Sequence, residues 1–228
     1  MERHFDEELK LLKSKLLEMA ARVEAAIAGS VKSLVRRDEK LARDVIVNDR
    51  EINELELEIE DLCLKLLALH QPMAMDLRFI AAAMKINNDL ERMGDQAVNI
   101  AERSQDLIAK PPLKPLVDIP RMAELAQKMA KDSIDAFVRG DTVSAQEICR
   151  RDNEVDALND QVLRELLAFM IANTSTIERA VGLILVARHL EKIADHATNI
   201  SEEVIYIVEG RVIKHHHLDS SIPTTNTF

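Results

Sequence analysis

A thirteen-residue segment occurs twice in this chain, and the repeat restricts the possible folds more than any other feature. Leu90-Glu91-Arg92-Met93-Gly94-Asp95-Gln96-Ala97-Val98-Asn99-Ile100-Ala101-Glu102 returns one hundred positions later as Leu190-Glu191-Lys192-Ile193-Ala194-Asp195-His196-Ala197-Thr198-Asn199-Ile200-Ser201-Glu202. Seven of the thirteen positions are identical, and Arg92 and Lys192 keep a positive charge. Leu90, Ala97 and Ile100 repeat packing residues, whereas Glu91, Asp95, Asn99 and Glu102 repeat polar ones. Packing alone does not require the second set. On an α-helix, steps of four, four and three place these four polar residues within an arc of roughly 80°. Leu90, Met93, Ala97 and Ile100 form the adjoining apolar stripe.

Carboxylates four apart on one helix face repel one another by a few tenths of a kcal/mol. A cation offsets that repulsion, and hard cations prefer clustered oxygen ligands. The plainer alternative is a solvated acidic face paired with Arg92 or Lys192.

The surrounding pattern reads as a three-helix unit used twice. Helices are expected over residues 6–35, 39–69, 75–108, 120–138, 142–172 and 177–213. The first carries Leu9, Leu12, Leu16, Met19, Val23, Ile27, Val31 and Leu34 at helical spacing. Gly29 lies inside it, where close helix contact is the expected reason. Asp38 is placed to cap the second helix and Gly140 to end the fourth. In the second helix, Leu41, Val45, Ile52, Leu55, Ile59, Leu62 and Leu66 form the buried stripe. In the fifth, Val143, Ile148, Val155, Leu158, Val162 and Leu166 are expected inside. The small-residue run Ala81-Ala82-Ala83 suits tight packing of the third helix.

Lys110-Pro111-Pro112-Leu113-Lys114-Pro115 marks the boundary between halves. The expected organisation is therefore an N-terminal bundle (1–112), a C-terminal bundle (113–214) and a disordered tail (215–228). The fold class is all-α: two pseudo-symmetric antiparallel three-helix bundles. Between Asp49 and Asp152 the offset is 103 rather than 100, a difference ascribed here to a longer loop around Pro72. His215-His216-His217 in the tail carries no functional weight.

Composition agrees with this class. Of the residues 47% are hydrophobic, yet only 3% are aromatic, which suits aliphatic helical packing. A formal net charge of −10 argues against nucleic acid as a partner. The N-terminus is too charged for a signal peptide. The longest apolar run, Ala180 to Ala187, is far shorter than the roughly 20 residues a membrane span needs. Cys63 and Cys149 read as small core residues of a protein in a reducing compartment.

Acidic pairs also occur on the middle helices. Asp49 and Asn53 lie four apart, as do Asp152 and Asp156. Antiparallel packing brings Asp49 and Asn53 level with Glu91 and Asp95, and Asp152 and Asp156 level with Glu191 and Asp195. Two oxygen-rich patches result, one per half. Their donors favour magnesium, manganese, calcium or ferric iron over thiolate-bound zinc. No Glu-x-x-His of a buried di-iron bundle is present. His196 reads as a surface histidine, with a metal-assisting role as the alternative. No glycine-rich phosphate loop and no nucleophile elbow can be assembled. These residues point to a metal-binding bundle that is not an enzyme.

The two Leu-Glu-x-x-x-Asp-x-Ala-x-Asn-Ile segments resemble those of the PhoU family of phosphate-transport regulators. Gln71-Pro72-x-x-x-Asp76-Leu77-Arg78 extends the resemblance, which runs over nearly the whole chain. It implies a cytoplasmic, non-catalytic adaptor that restrains a phosphate ABC transporter and keeps the phosphate-starvation regulon off when phosphate is plentiful. The implied partners are the transporter's ATPase subunit, a phosphate-sensing histidine kinase and a second copy of the chain, with membrane contact only through partners. The resemblance also implies metal ions, with iron, zinc, magnesium and manganese all open. Their ligands fall on Asp49, Glu91 and Asp95 in one half, and on Asp152, Asp156, Glu191 and Asp195 in the other. Asn53, Asn99, Glu102, Asn199 and Glu202 are second-tier neighbours, and Asn53 departs from the acidic form of the motif. A metal-storage protein or metalloenzyme with surface carboxylate clusters is the alternative. A purely electrostatic face for a basic partner is a third reading.

Overall fold

The computed structural model describes residues 2–210, and the tail reading for 215–228 lies outside them. Six α-helices follow in order: α1 (Glu2–Arg36), α2 (Glu39–His70), α3 (Ala74–Ile108), α4 (Asp118–Arg139), α5 (Thr142–Ala172) and α6 (Ile177–Glu209). One 3₁₀ turn, Thr174–Thr176, precedes α6. The described residues contain no strand. None of the described helices is long and apolar enough to cross a membrane.

Helices α1, α2 and α3 pack on one another, as do α4, α5 and α6, and the two bundles join through α3 against α6 and α1 against α4. The first turn of each bundle is built the same way. After α1, Arg37 adopts a left-handed conformation (φ 54°), and Asp38 N–H donates to Ser33 O at 2.9 Å. After α4, Gly140 takes that conformation (φ 65°), and Asp141 N–H donates to Ala136 O at 3.0 Å. Each Asp then caps the next helix: Asp38 accepts from Leu41 N–H, and Asp141 from Val143 and Ser144 N–H. The cost of that conformation for Arg37 is offset by its guanidinium, which donates to Ile108 O at the end of α3 and to Lys110 O just past it.

The core follows the helical periodicity. Leu12, Leu16, Met19, Val23 and Ile27 of α1 are buried, as are Ile52, Ile59, Leu66, Leu90, Met93 and Ile100 opposite them. Gly29 is needed where α1 meets α2, since a Cβ there would stand 2.8 Å from Val45 Cγ2. The second bundle repeats the arrangement with Ile148, Val155, Leu166, Val186, Leu190 and Ile193. Phe79 of α3 stacks on Phe137 of α4 at 5.3 Å, adding an aromatic contact between the bundles.

Three expectations are corrected, and a fourth runs past the described residues. Val143 is 77% exposed, because Ala145 takes the core position ahead of Ile148 and Val143 points from the first turn of α5 into solvent. Of the run Ala81-Ala82-Ala83, the last two are buried and Ala81 is exposed. Among the described residues α6 ends at Glu209, where Gly210 takes a left-handed cap (φ 68°), and the expected run on to Ile213 falls outside the described residues. The loop around Pro72 is not the source of the offset. It spans only 71–73, whereas the matching connection spans 173–176. The extra residues are helical, chiefly the first turn of α3.

Candidate functional site

Both acidic patches lie on the outer seam between the second and third helices of a bundle. In the N-terminal bundle, Ile52 of α2 and Met93 of α3 are buried at the packing line, which places Asp49 and Asp95 beside it. Gly94 brings the helices close enough that a Cβ there would sit 3.4 Å from Asp49 Oδ1. That oxygen is buried without a hydrogen-bond partner, while Oδ2 accepts from Asn53 Nδ2 at 3.0 Å. Burial pushes the Asp49 carboxyl above its ordinary pKa; the Asn53 hydrogen bond opposes this and the Asp95 charge reinforces it. Glu91 is raised by burial and then by Asp95, with smaller contributions from Glu56 and Asp49 and some relief from Arg92. Asp49, Glu91 and Asp95 are thus brought together as the spacing predicts.

Glu56 joins this set and was not singled out in the sequence. Its position seven residues after Asp49 puts it two turns along the same face of α2, so the signal was present. Asn99 is half-buried and Glu102 exposed. Among the described residues no hydrogen bond or ion pair ties either one to the Asp49–Asp95 pair.

The C-terminal patch has the same frame with different charge compensation. Burial raises the Glu191 carboxyl, Lys192 lowers it, and Asp195 and Asp156 raise it further. Asp152 is 4% exposed, and Asp156 is exposed. Lys192 Nζ donates to Asp195 Oδ2 at 2.5 Å, and that bond holds the ammonium above its ordinary pKa. Lys192 and Asp195 thus pair along one face of α6. In the first half the corresponding Arg92 is exposed, and among the described residues no ion pair joins it to Asp95.

The two repeated segments also meet each other. Helices α3 and α6 run antiparallel, with Lys85 Nζ on Glu203 Oε1 at 2.7 Å near one end and Gln96 Oε1 on His189 Nδ1 at 2.8 Å nearer the other. Between them, Asp89 Oδ1 contacts His196 Nδ1 at 2.9 Å and accepts from Asn199 Nδ2 at 3.1 Å. The pairs Asp89–His196 and His189–Gln96 are exchanged by the hundred-residue repeat, so they are the two halves of one pseudo-twofold contact. His196 is therefore not a plain surface histidine: its side chain is only 16% exposed. Asn199, expected as a neighbour of a metal, is engaged by Asp89. An open groove of about 820 Å³ runs along this junction, lined among others by Asp89, Asp152, Lys192, Asp195 and Glu202.

Does this site suit a metal ion? Among the described residues no group of three His, Cys, Asp or Glu side chains converges on a point that would hold one. The donor chemistry does fit: carboxylate oxygens, one of them buried and unpartnered, carry pKa values raised by burial and mutual repulsion. Cys63 and Cys149 contribute nothing, since burial pushes both thiols up to about 12.

Fold and site together define a class: a duplicated all-helical protein with one acidic patch per bundle and the bundles joined through the patch-bearing helices. The family model for the PhoU domain matches residues 16–104 and again residues 119–204. The chain belongs to the PhoU family. It is 43% identical to the phosphate-specific transport system accessory protein PhoU homolog of Aquifex aeolicus, over 92% of this chain and 96% of that one. It is 34% identical to PhoU homolog 2 of Thermotoga maritima, over 95% and 92% of the two chains. The crystal structure of PhoU from Pseudomonas aeruginosa superimposes with a TM-score of 0.88 at 37% identity, covering 91% of this chain and all of that one. The Streptococcus pneumoniae phosphate transport system regulatory protein PhoU gives a TM-score of 0.84 at 28% identity, over 92% and 100% of the chains.

Proposed function

We propose that this protein is an accessory regulator of phosphate transport. It restrains uptake by a phosphate ABC transporter and helps keep phosphate-starvation genes silent when phosphate is abundant. The observation that carries this reading is the family match in both halves, over nearly the full length of relatives named as accessory proteins of phosphate-specific transport. The protein works as an adaptor in the cytoplasm, without catalysis of its own. Its partners are the transporter's ATPase subunit and a phosphate-sensing histidine kinase, and it acts as a homodimer.

Metal ions belong to this reading. Asp49, Glu91 and Asp95 would hold one in the N-terminal bundle; Asp152, Asp156, Glu191 and Asp195 would do so in the C-terminal bundle. Iron, zinc, magnesium and manganese are the candidate ions. A bound ion supplies positive charge that neutralises the patch and offers a coordination point to acidic groups on a partner. The chain's own residues do the rest. Gly94 lets α2 and α3 approach, Asn53 orients Asp49, and the Asp89–His196 contact ties each patch to the opposite bundle.

Deletion of the gene, together with any second copy, tests the role. In phosphate-rich medium the deletion strain is expected to express phosphatase and accumulate phosphate, and restoring the gene reverses both. Unchanged phosphate responses would refute it. Iron stored by the purified protein far beyond a few ions per chain would favour the storage reading instead.

A further inference from the structure

The linker between the bundles closes over a cavity that neither acidic patch shares. Its volume is about 250 Å³, and its apolar walls are Leu34 of α1, Leu107 of α3, Leu183 of α6 and the linker residues Leu113 and Leu116. Gly182 lets α6 close against one wall, since a Cβ there would stand 3.0 Å from Leu107 Cδ2. Two arginines from opposite bundles, Arg37 and Arg179, also line the cavity. Arg37 donates to Ile108 O and Lys110 O; Arg179 donates to Pro111 O at 3.2 Å and to Ser175 O at 3.4 Å. The two guanidiniums therefore grip consecutive linker carbonyls, and their charges lie near one another. Their cationic neighbours are matched: Lys110 pairs with Glu178, and Lys114 with Glu165. Among the described residues no carboxylate pairs with Arg37 or Arg179, although the chain carries a net charge of −10. A guanidinium has five N–H donors in a planar fork, so each arginine keeps donors beyond those given to the backbone.

We propose that this cavity binds a small amphipathic anion, with an apolar body among the leucines and a carboxylate or phosphate head at Arg37 and Arg179. The fork geometry suits either head group, and an anion there relieves the repulsion between the two cations. The volume sets the size of the body. A dry cavity of about 150 Å³ accepts benzene, so this one takes roughly eight to ten carbons. Such a ligand touches α1, the linker and α6 at once. Its binding ties the two bundles together across their joint and stabilises the folded chain. The site is independent of the metal patches and lies beyond the transport role proposed above.

Octanoate, octyl phosphate, octanol and inorganic phosphate are each titrated into the full-length protein by calorimetry, with Tm followed in parallel. Octanoate or octyl phosphate should bind about ten-fold or more tighter than octanol and than inorganic phosphate, and should raise Tm. The tighter of the two identifies the head group. Arg179→Gln should weaken that ligand about ten-fold. Val35 lines the cavity and is 47% exposed, so Val35→Trp can fill the opening without entering the core. That variant, shown to be folded by circular dichroism, should lose binding. Octanol or inorganic phosphate binding as tightly as the amphipathic anions would overturn the proposal. So would full affinity in the folded Val35→Trp protein, or failure of octanoate and octyl phosphate alike to bind the native chain.

Discussion

Replacing Asp95 by Asn should make the metal-free protein more stable. Asp95 raises the Asp49 and Glu91 carboxyls, in each case after burial itself. Among the described residues Asp95 has no hydrogen bond or ion pair to lose. The Glu91–Asp95 pair is a like-charge contact one helical turn apart, worth about 0.2–0.5 kcal/mol. The contact with Asp49 across the seam is partly solvent-screened and adds less than about 1 kcal/mol. The total, about 1 kcal/mol, corresponds to a rise of roughly 2–4 °C in Tm for a chain of this size. The pH dependence fixes the sign. Asp49 and Glu91 have folded-state pKa values above their unfolded ones, so the native state carries a penalty that is full above those raised values. It is relieved as pH falls through them, because the native state then binds protons before the unfolded state does. The advantage of Asp95→Asn should therefore be largest near neutrality and shrink toward the ordinary carboxylate range of about 4. Calorimetry with chelator present, at several pH values, measures it. A lower Tm for Asp95→Asn at neutral pH, or an advantage that grows on acidification, would refute the electrostatic reasoning.

Three further outcomes follow from particular contacts. Arg37→Gly should be more stable than Arg37→Ala by about 1 kcal/mol in urea melts, since both lose the guanidinium and only glycine is relaxed at φ 54°. Asp89→Ala strips His196 and Asn199 of their shared partner and should cost about 1–3 kcal/mol. Hydrogen exchange should rise along the facing segments of α3 and α6 and much less at the α1–α2 turn. With thiols raised to about 12, Cys63 and Cys149 should resist iodoacetamide at pH 8 in the folded chain and react fully in denaturant, by mass spectrometry.

Much of this architecture was legible because it was written twice. Asp38 and Asp141 cap equivalent helices, Gly29 marked a real helix contact, and the four-residue spacing of Glu91 and Asp95 placed both beside Asp49. The junction between bundles was harder to read. Asp89 lies outside the repeated segment, and its pairing with His196 follows only once α3 is known to run antiparallel to α6. With that geometry the repeat itself predicts the mate, His189 with Gln96, although the chemistry of the pair is exchanged. Lys192 shows the limit of a repeat: Arg92 has the same charge at the same position, yet only Lys192 closes on its neighbouring aspartate. Val143 misled because an apolar residue in a first helical turn can fall outside the stripe that begins one turn later. At Gly210, the local backbone preference of glycine caps α6, a signal that the apolar pattern alone does not carry.

Metal binding by the repeated acidic patches is the property on which the proposed role of the motifs depends. The most direct measurement is the metal content of untagged protein by mass spectrometry, comparing the native chain with the Asp95→Ala, Asp195→Ala variant, with circular dichroism to confirm that both are folded. Bound metal in the native chain that is lost from the folded variant is the predicted result. Equal and negligible metal in both would contradict it and leave the patches as solvated acidic faces.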